Sequence, residues 1–283
     1  MTGVVDVRAA VAAAVAEGRM GDRLWLYATY HCNLRCSYCL TESSPRVRDR
    51  RELAAGAMVA AVQAAAPLGF RSAGVTGGEV FMLPGMAEVL AGMAGVMPTT
   101  ALTNGTLLGE RLLRGLAPLR GHPGFALQVS LDSADPVRND ALRGPRNFAR
   151  VCESVPRLRA DGIRVRIATT VADQSREELR RVCDLHRTWG IPDEDHIVRP
   201  VVRRGRAATR EMGIVPQAGD ILPELTITAE GAFLDPFAPT VRRGVTDLDG
   251  LVCRETAPMI AAVEAFLAAV ARRPGADAER NIR

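Results

Sequence analysis

Three of the six cysteines fall within one short stretch, His31-Cys32-Asn33-Leu34-Arg35-Cys36-Ser37-Tyr38-Cys39, spaced C-x3-C-x2-C. Thiolates this close in one loop can converge on a single metal centre. Three cysteines on a four-iron cubane leave one iron without a protein ligand, where a substrate or cofactor can chelate. A structural zinc would want a fourth Cys or His, and His31, adjacent to Cys32, is badly placed to close the same tetrahedron. The basic residues exclude other chemistry. The 36 Lys+Arg residues are all arginine, so Schiff-base catalysis and phosphate-loop nucleotide chemistry lack their lysine.

Something must hold that loop, and the hydrophobic pattern supplies it. Leu24 to Thr29 is a short apolar run, read as a buried strand that empties into the cysteine loop. Further strands are expected at Ala73–Thr76, Thr99–Thr103, Phe125–Leu131, Ile163–Val171 and His196–Val202. Helices are expected between them at Glu52–Ala66, Gly85–Val96, Leu107–Leu119, Asn147–Ala160 and Arg176–Trp189. Strands alternating with helices at this spacing indicate parallel βαβ units, six of the eight that a closed barrel needs. The expected fold is α/β, a partial (β/α)6 TIM-like barrel over residues 23–202. An N-terminal helix (residues 1–22) would precede it, and a small α+β extension (residues 203–283) would follow, with a hairpin at Glu224–Leu234, a terminal helix and a polar tail from Arg272.

With these residues in view, the chain resembles the radical S-adenosylmethionine (SAM) enzymes, over about residues 23–202. Cys32, Cys36 and Cys39 look like that family's cluster ligands. Tyr38 sits where such enzymes place an aromatic against adenine. Other landmarks fall at or just after strand ends, the face where a βα barrel carries its site. Gly77, Gly78 and Glu79 resemble the segment that receives the SAM ammonium, with Val80 where proline is usual. Asn104, in Thr-Asn-Gly, borders the implied SAM site. Ser130 and Asp132 resemble the segment that reaches the ribose or methionine portion. Arg143 matches an arginine that pairs with the SAM carboxylate, and Val171 holds the adenine-flanking position. The relatives' histidine has no counterpart beside Asn139-Asp140.

The resemblance implies one [4Fe–4S] cluster and SAM, reductively cleaved to a 5′-deoxyadenosyl radical that abstracts hydrogen from a substrate. It also implies flavodoxin or ferredoxin as electron donor. The extension resembles a shortened SPASM/twitch-like unit without the cysteines for auxiliary clusters, since only Cys253 lies beyond residue 202. The expected substrate is therefore a small molecule. A peptide or protein substrate is one alternative, and a non-catalytic iron–sulfur or zinc protein is another.

Of the remaining candidates, Arg199 heads an arginine cluster with Arg203, Arg204 and Arg206, suited to a carboxylate or phosphate or else to pairing with Asp193–Asp195. Cys152 and Cys183 read as packing cysteines, and Cys253 as a candidate hydrogen-atom donor. His196 beside the acidic run suggests a metal only weakly. A net charge of +4 and 4% aromatics argue against nucleic acid as a partner. No apolar run is long enough to span a membrane. With no signal-peptide pattern, the sequence reads as a cytoplasmic chain in a reducing compartment.

Overall fold

The computed structural model describes residues 2–217 and 219–273, so the tail expected to fray from Arg272 lies, over residues 274–283, outside the described residues. Six parallel strands carry the fold: β1 (Arg23–Thr29), β2 (Ser72–Gly77), β3 (Thr99–Thr103), β4 (Phe125–Ser130), β5 (Val165–Val171) and β6 (His196–Pro200). They pair in sequence order, β1 to β6. The architecture is the expected partial barrel. β1 is buried along almost its whole length, as a parallel strand covered on both faces must be.

Helix α1 (Thr2–Ala16) precedes the sheet, and α2 (Ala55–Ala65), α3 (Met86–Ala94), α4 (Glu110–Gly115), α5 (Pro136–Arg143), α6 (Asn147–Ala160) and α7 (Arg176–Thr188) run between strands. Their limits follow local chemistry. Ser175 and Glu178 form a reciprocal capping box that starts α7. Asp135 caps α5, with Pro136 in the first turn. The helix expected over Leu107–Leu119 is shorter. Gly109 is its N-cap, Gly115 its last residue, and Pro118 falls in a following 3-10 turn.

The C-terminal residues do not stand apart from the barrel. After the short α8 (Arg206–Thr209) come β7 (Thr226–Thr228) and β8 (Gly231–Phe233), the expected hairpin. β7 pairs parallel with β1, through Trp25 opposite Thr226 and Leu26 opposite Ile227. β9 (Thr240–Arg242) and β10 (Val245–Asp247) form a separate antiparallel pair. β11 (Leu251–Cys253) pairs with β8, giving, among the described residues, a nine-stranded sheet in the order β11-β8-β7-β1-β2-β3-β4-β5-β6. Helix α9 (Met259–Ala271) buries Val263 and Phe266 in the main core, the cluster that also holds Leu24 and Leu26. Among the described residues, no helix is long and apolar enough to cross a membrane.

Candidate active site

The cysteine loop leaves the end of β1 and is fastened from two sides. From β2, the Gly78 amide donates to the Thr29 carbonyl (2.6 Å) and the Glu79 amide to the His31 carbonyl (2.9 Å). Gly77 adopts φ +133°, and a Cβ on Gly78 would sit 2.6 Å from the His31 carbonyl carbon. The two glycines are thus required where one backbone presses on another.

From beyond β6, the Arg206 amide donates to the Cys39 carbonyl (2.9 Å). The Arg206 guanidinium donates to the carbonyls of Cys36 and Ser43, the latter at 3.0 Å. Gly205, at φ +54°, clears the Cys39 and Leu40 backbone. Arg206 is buried, and its role was not legible in the sequence, where it was one member of an arginine run. That run does not act as a unit. Arg203 binds the Gly213 carbonyl and Arg204 the Phe237 carbonyl. The expected pairing with Asp193–Asp195 fails as well, since Asp195 holds Arg164 and Asp193 holds Arg187. Arg199 alone of the four lines the cleft beside the cysteines. Burial lowers its pKa, the mark of a cation taken from water, against the opposing influence of Tyr38, Tyr27 and Asp132.

That cleft encloses about 970 Å³, including its open mouth, and is lined by Cys32, Cys36 and Cys39 together with Tyr38, Gly77, Gly78, Asn104, Ser130, Arg143 and Arg199. Cys32 is buried, and its sulfur accepts from the Leu34 amide (3.3 Å) and the Asn104 side chain (3.7 Å). The Cys36 thiol donates to the Arg143 carbonyl (3.5 Å). Burial is the main cause that raises both thiols, Cys36 to about 11 despite the opposing charge of Arg143. A cation bound among them supplies the charge that burial withholds, and its binding expels the thiol protons.

Beneath the cleft lies a buried polar network. Asp132, fully enclosed, accepts from the Tyr38 hydroxyl, from Arg143 (3.1 Å) and from the Thr170 amide (2.9 Å). Arg143 also donates to the Tyr38 hydroxyl (2.6 Å). Burial would lower the Arg143 pKa, but the groups of Tyr38, Asp132 and Cys36 around it carry it well above the ordinary value. Its Nε is buried without a partner, an orphan donor in the cleft wall. A three-thiol set leaves one iron of a cubane free, and an orphaned guanidinium donor beside it suits a carboxylate. These residues fit a [4Fe–4S] cluster with SAM.

Four of the sequence candidates do not line the cleft. Glu79 is fully buried, and its carboxylate accepts from Thr103 (2.8 Å), the Asn104 amide (2.7 Å) and the Phe81 amide (3.2 Å). It braces β2 against the end of β3, and burial raises its pKa. Asp132 acts from beneath, through Tyr38 and Arg143. At the end of β5, Thr170 lines the cleft and Val171 does not. Cys253 is on β11, with its thiol donating to the Glu255 carbonyl (3.1 Å), so the structure does not bring it to the other cysteines. Cys152 and Cys183 are only half-buried, not enclosed core residues.

Comparison with known proteins agrees with the fold. The antilisterial bacteriocin subtilosin biosynthesis protein AlbA of Bacillus subtilis (strain 168) is 30% identical over 168 residues, 57% of this chain and 36% of AlbA. GTP 3′,8-cyclase of Pseudomonas fluorescens (strain Pf0-1) is 30% identical over 147 residues, 51% of this chain and 43% of the cyclase. The chain thus spans less than half the length of these curated relatives. Streptococcus suis SuiB bound to S-adenosylmethionine superposes with a TM-score of 0.57 at 22% identity, over 69% of this chain and 44% of SuiB, a likeness of fold. Residues 26–186 match the Radical SAM superfamily, whose members use a [4Fe–4S] cluster and SAM. That match runs from β1 through the cysteine loop to α7, more than half of the sequence, and the chain belongs to the radical SAM superfamily.

Proposed function

We propose that this chain is a radical SAM enzyme whose single [4Fe–4S] cluster is held by Cys32, Cys36 and Cys39. When bound and reduced, the cluster and SAM would supply a 5′-deoxyadenosyl radical for hydrogen abstraction from the substrate. The observation that carries this reading is the convergence of three cysteines, the Gly77-Gly78 backbone, Asn104, Ser130 and Arg143 on one cleft at the strand ends. In it, Arg143 would receive the SAM carboxylate, while Tyr38 and Asp132 hold the guanidinium in place. Asn104 orients the Cys32 sulfur.

Within this reading, residues 23–202 form the catalytic barrel. The segment from residue 203 contributes the strap at Arg206 and the far wall of the cleft at Phe237. The substrate is a small molecule with an anionic group that meets Arg199, and flavodoxin or ferredoxin delivers the electron. A peptide substrate is the second reading. It draws on the similarity to AlbA, named for bacteriocin biosynthesis, and on the fold likeness to SuiB, also solved with its precursor peptide SuiA.

Anaerobic reconstitution with iron and sulfide, followed by SAM and dithionite, tests the activity. The expected product is 5′-deoxyadenosine, and its absence with an intact cluster rejects the enzymatic reading. Alanine at Cys32, Cys36 and Cys39 together should remove the cluster, and a full iron content in that variant rejects the ligand assignment.

A further inference from the structure

A second set of metal-ligand side chains lies at the other end of β6 from the cleft. Cys183 and His186 project from α7, and His196 opens β6. Their ligand atoms all lie within 4.8 Å of one another. A tetrahedral zinc places N and S ligands about 3.4–3.6 Å apart, given metal distances of about 2.0–2.3 Å. Cys183 Sγ and His196 Nδ1 are already 3.4 Å apart.

The hydrogen bonds around the two rings fix which nitrogens carry protons. His186 Nδ1 lies 2.9 Å from the Ile191 carbonyl, which can only accept, so Nδ1 donates and Nε2 keeps a bare lone pair. His196 Nε2 lies 2.8 Å from the Thr169 hydroxyl, whose single proton goes to the Leu131 carbonyl (2.7 Å). His196 Nε2 therefore donates, and its lone pair is on Nδ1, facing Cys183. Metal-binding histidines are oriented by this kind of bond from the opposite ring nitrogen. The Cys183 thiol can satisfy one of the two lone pairs. His186 is fully buried, and its Nε2 has no hydrogen-bond partner. Near it lies Asp193, with Oδ1 4.0 Å away and its carboxylate held by Arg187.

We propose that Cys183, His186 and His196 bind a structural divalent transition metal, zinc by the chemistry of the donor set, with Asp193 closing the fourth position. On binding, the Cys183 thiol gives up its proton to water, and both imidazoles stay neutral. The metal ties α7 to β6, the last strand of the sheet, which among the described residues pairs only with β5. This site is independent of the cluster and of the activity proposed above.

Zinc and iron are measured separately by elemental analysis on the full chain with its cluster reconstituted, after equilibration with zinc and removal of free metal. About one zinc per chain is expected, with an upward shift in Tm. Cobalt(II) in its place should give the intense thiolate-to-cobalt absorption of a tetrahedral site. Cys183→Ser should abolish that band, and His186→Gln should weaken binding by about 10-fold or more. Replacing all three loop cysteines by alanine should leave the zinc in place. The proposal is overturned if the unaltered chain binds no zinc, or if Cys183→Ser and His186→Gln bind it as the unaltered chain does. Loss of the zinc with the loop cysteines also overturns it. The stoichiometry and Tm shift of the unaltered chain read out the site even where a variant fails to fold.

Discussion

Replacing Gly78 by alanine puts the junction of β2 with the cysteine loop under direct test. The new Cβ would lie 2.6 Å from the His31 carbonyl carbon, whereas carbon atoms rest at about 3.5–4.0 Å. The loop must therefore retreat by about 1 Å, and the obstacle is backbone, which cannot rotate away. Such overpacking costs about 1–3 kcal/mol. The retreat also stretches the Gly78–Thr29 and Glu79–His31 hydrogen bonds, each worth about 1 kcal/mol net. A loss of about 3–5 kcal/mol is expected, a large share of the roughly 5–15 kcal/mol that holds a domain folded. Urea unfolding of the iron-free protein measures the loss. Iron and sulfide per chain after reconstitution measure whether the thiols still converge. Gly56, inside α2, is the contrast, for a Cβ there meets nothing within 4 Å. Gly56→Ala, in the first turn, should stabilise by less than the roughly 0.5–1 kcal/mol of a mid-helix glycine. If Gly78→Ala unfolds with the unaltered chain and loads the same iron, the close backbone approach is not why glycine stands there.

Other expectations follow from the same geometry. Arg143→Met leaves Asp132 buried without its cation, and urea unfolding at pH 7 should show a loss of about 3–5 kcal/mol. Arg206→Ala strips the carbonyls of Cys36 and Ser43 of a buried charged donor. It should cost about 2–4 kcal/mol and lower the iron content, with cleft residues otherwise untouched. In the iron-free protein, burial holds the Cys36 thiol at about 11 against an ordinary 9.0. Its alkylation at pH 8 should run about 100-fold slower than a free thiol's and recover as the pH nears 11. The folded state keeps this proton longer than the unfolded chain, so the thiol's contribution to stability falls as pH rises from about 9 to 11.

The sequence was most legible where a single local rule acts. Asn147–Ala160 is helical over the expected residues, and the βα alternation and the hairpin follow hydrophobic period and turn chemistry. Helix α5, which ends at Arg143, is not among the helices the hydrophobic pattern predicts, although Asp135-Pro136 is a readable helix start. What stayed hidden depends on distant partners. Glu79 reads as a carboxylate for an incoming ammonium until Thr103 and Asn104 are seen to occupy it. Arg206 looks like any surface arginine until the Cys36 and Ser43 carbonyls arrive beside it. The Cys183–His186–His196 group joins a helix to the following strand through side chains that no spacing motif marks.

The strap at Arg206 also sets an order of events in time. Its contact with Cys36 spans 170 residues of chain. At about 5–20 residues per second, a ribosome exposes the three thiols roughly 10–30 s before the residue that organises their loop. For that interval the cysteines are reactive groups on an unfinished surface. Organised loading of iron thus waits until the chain has grown past Arg206, and before then the thiols depend on the reducing power of their surroundings to stay intact.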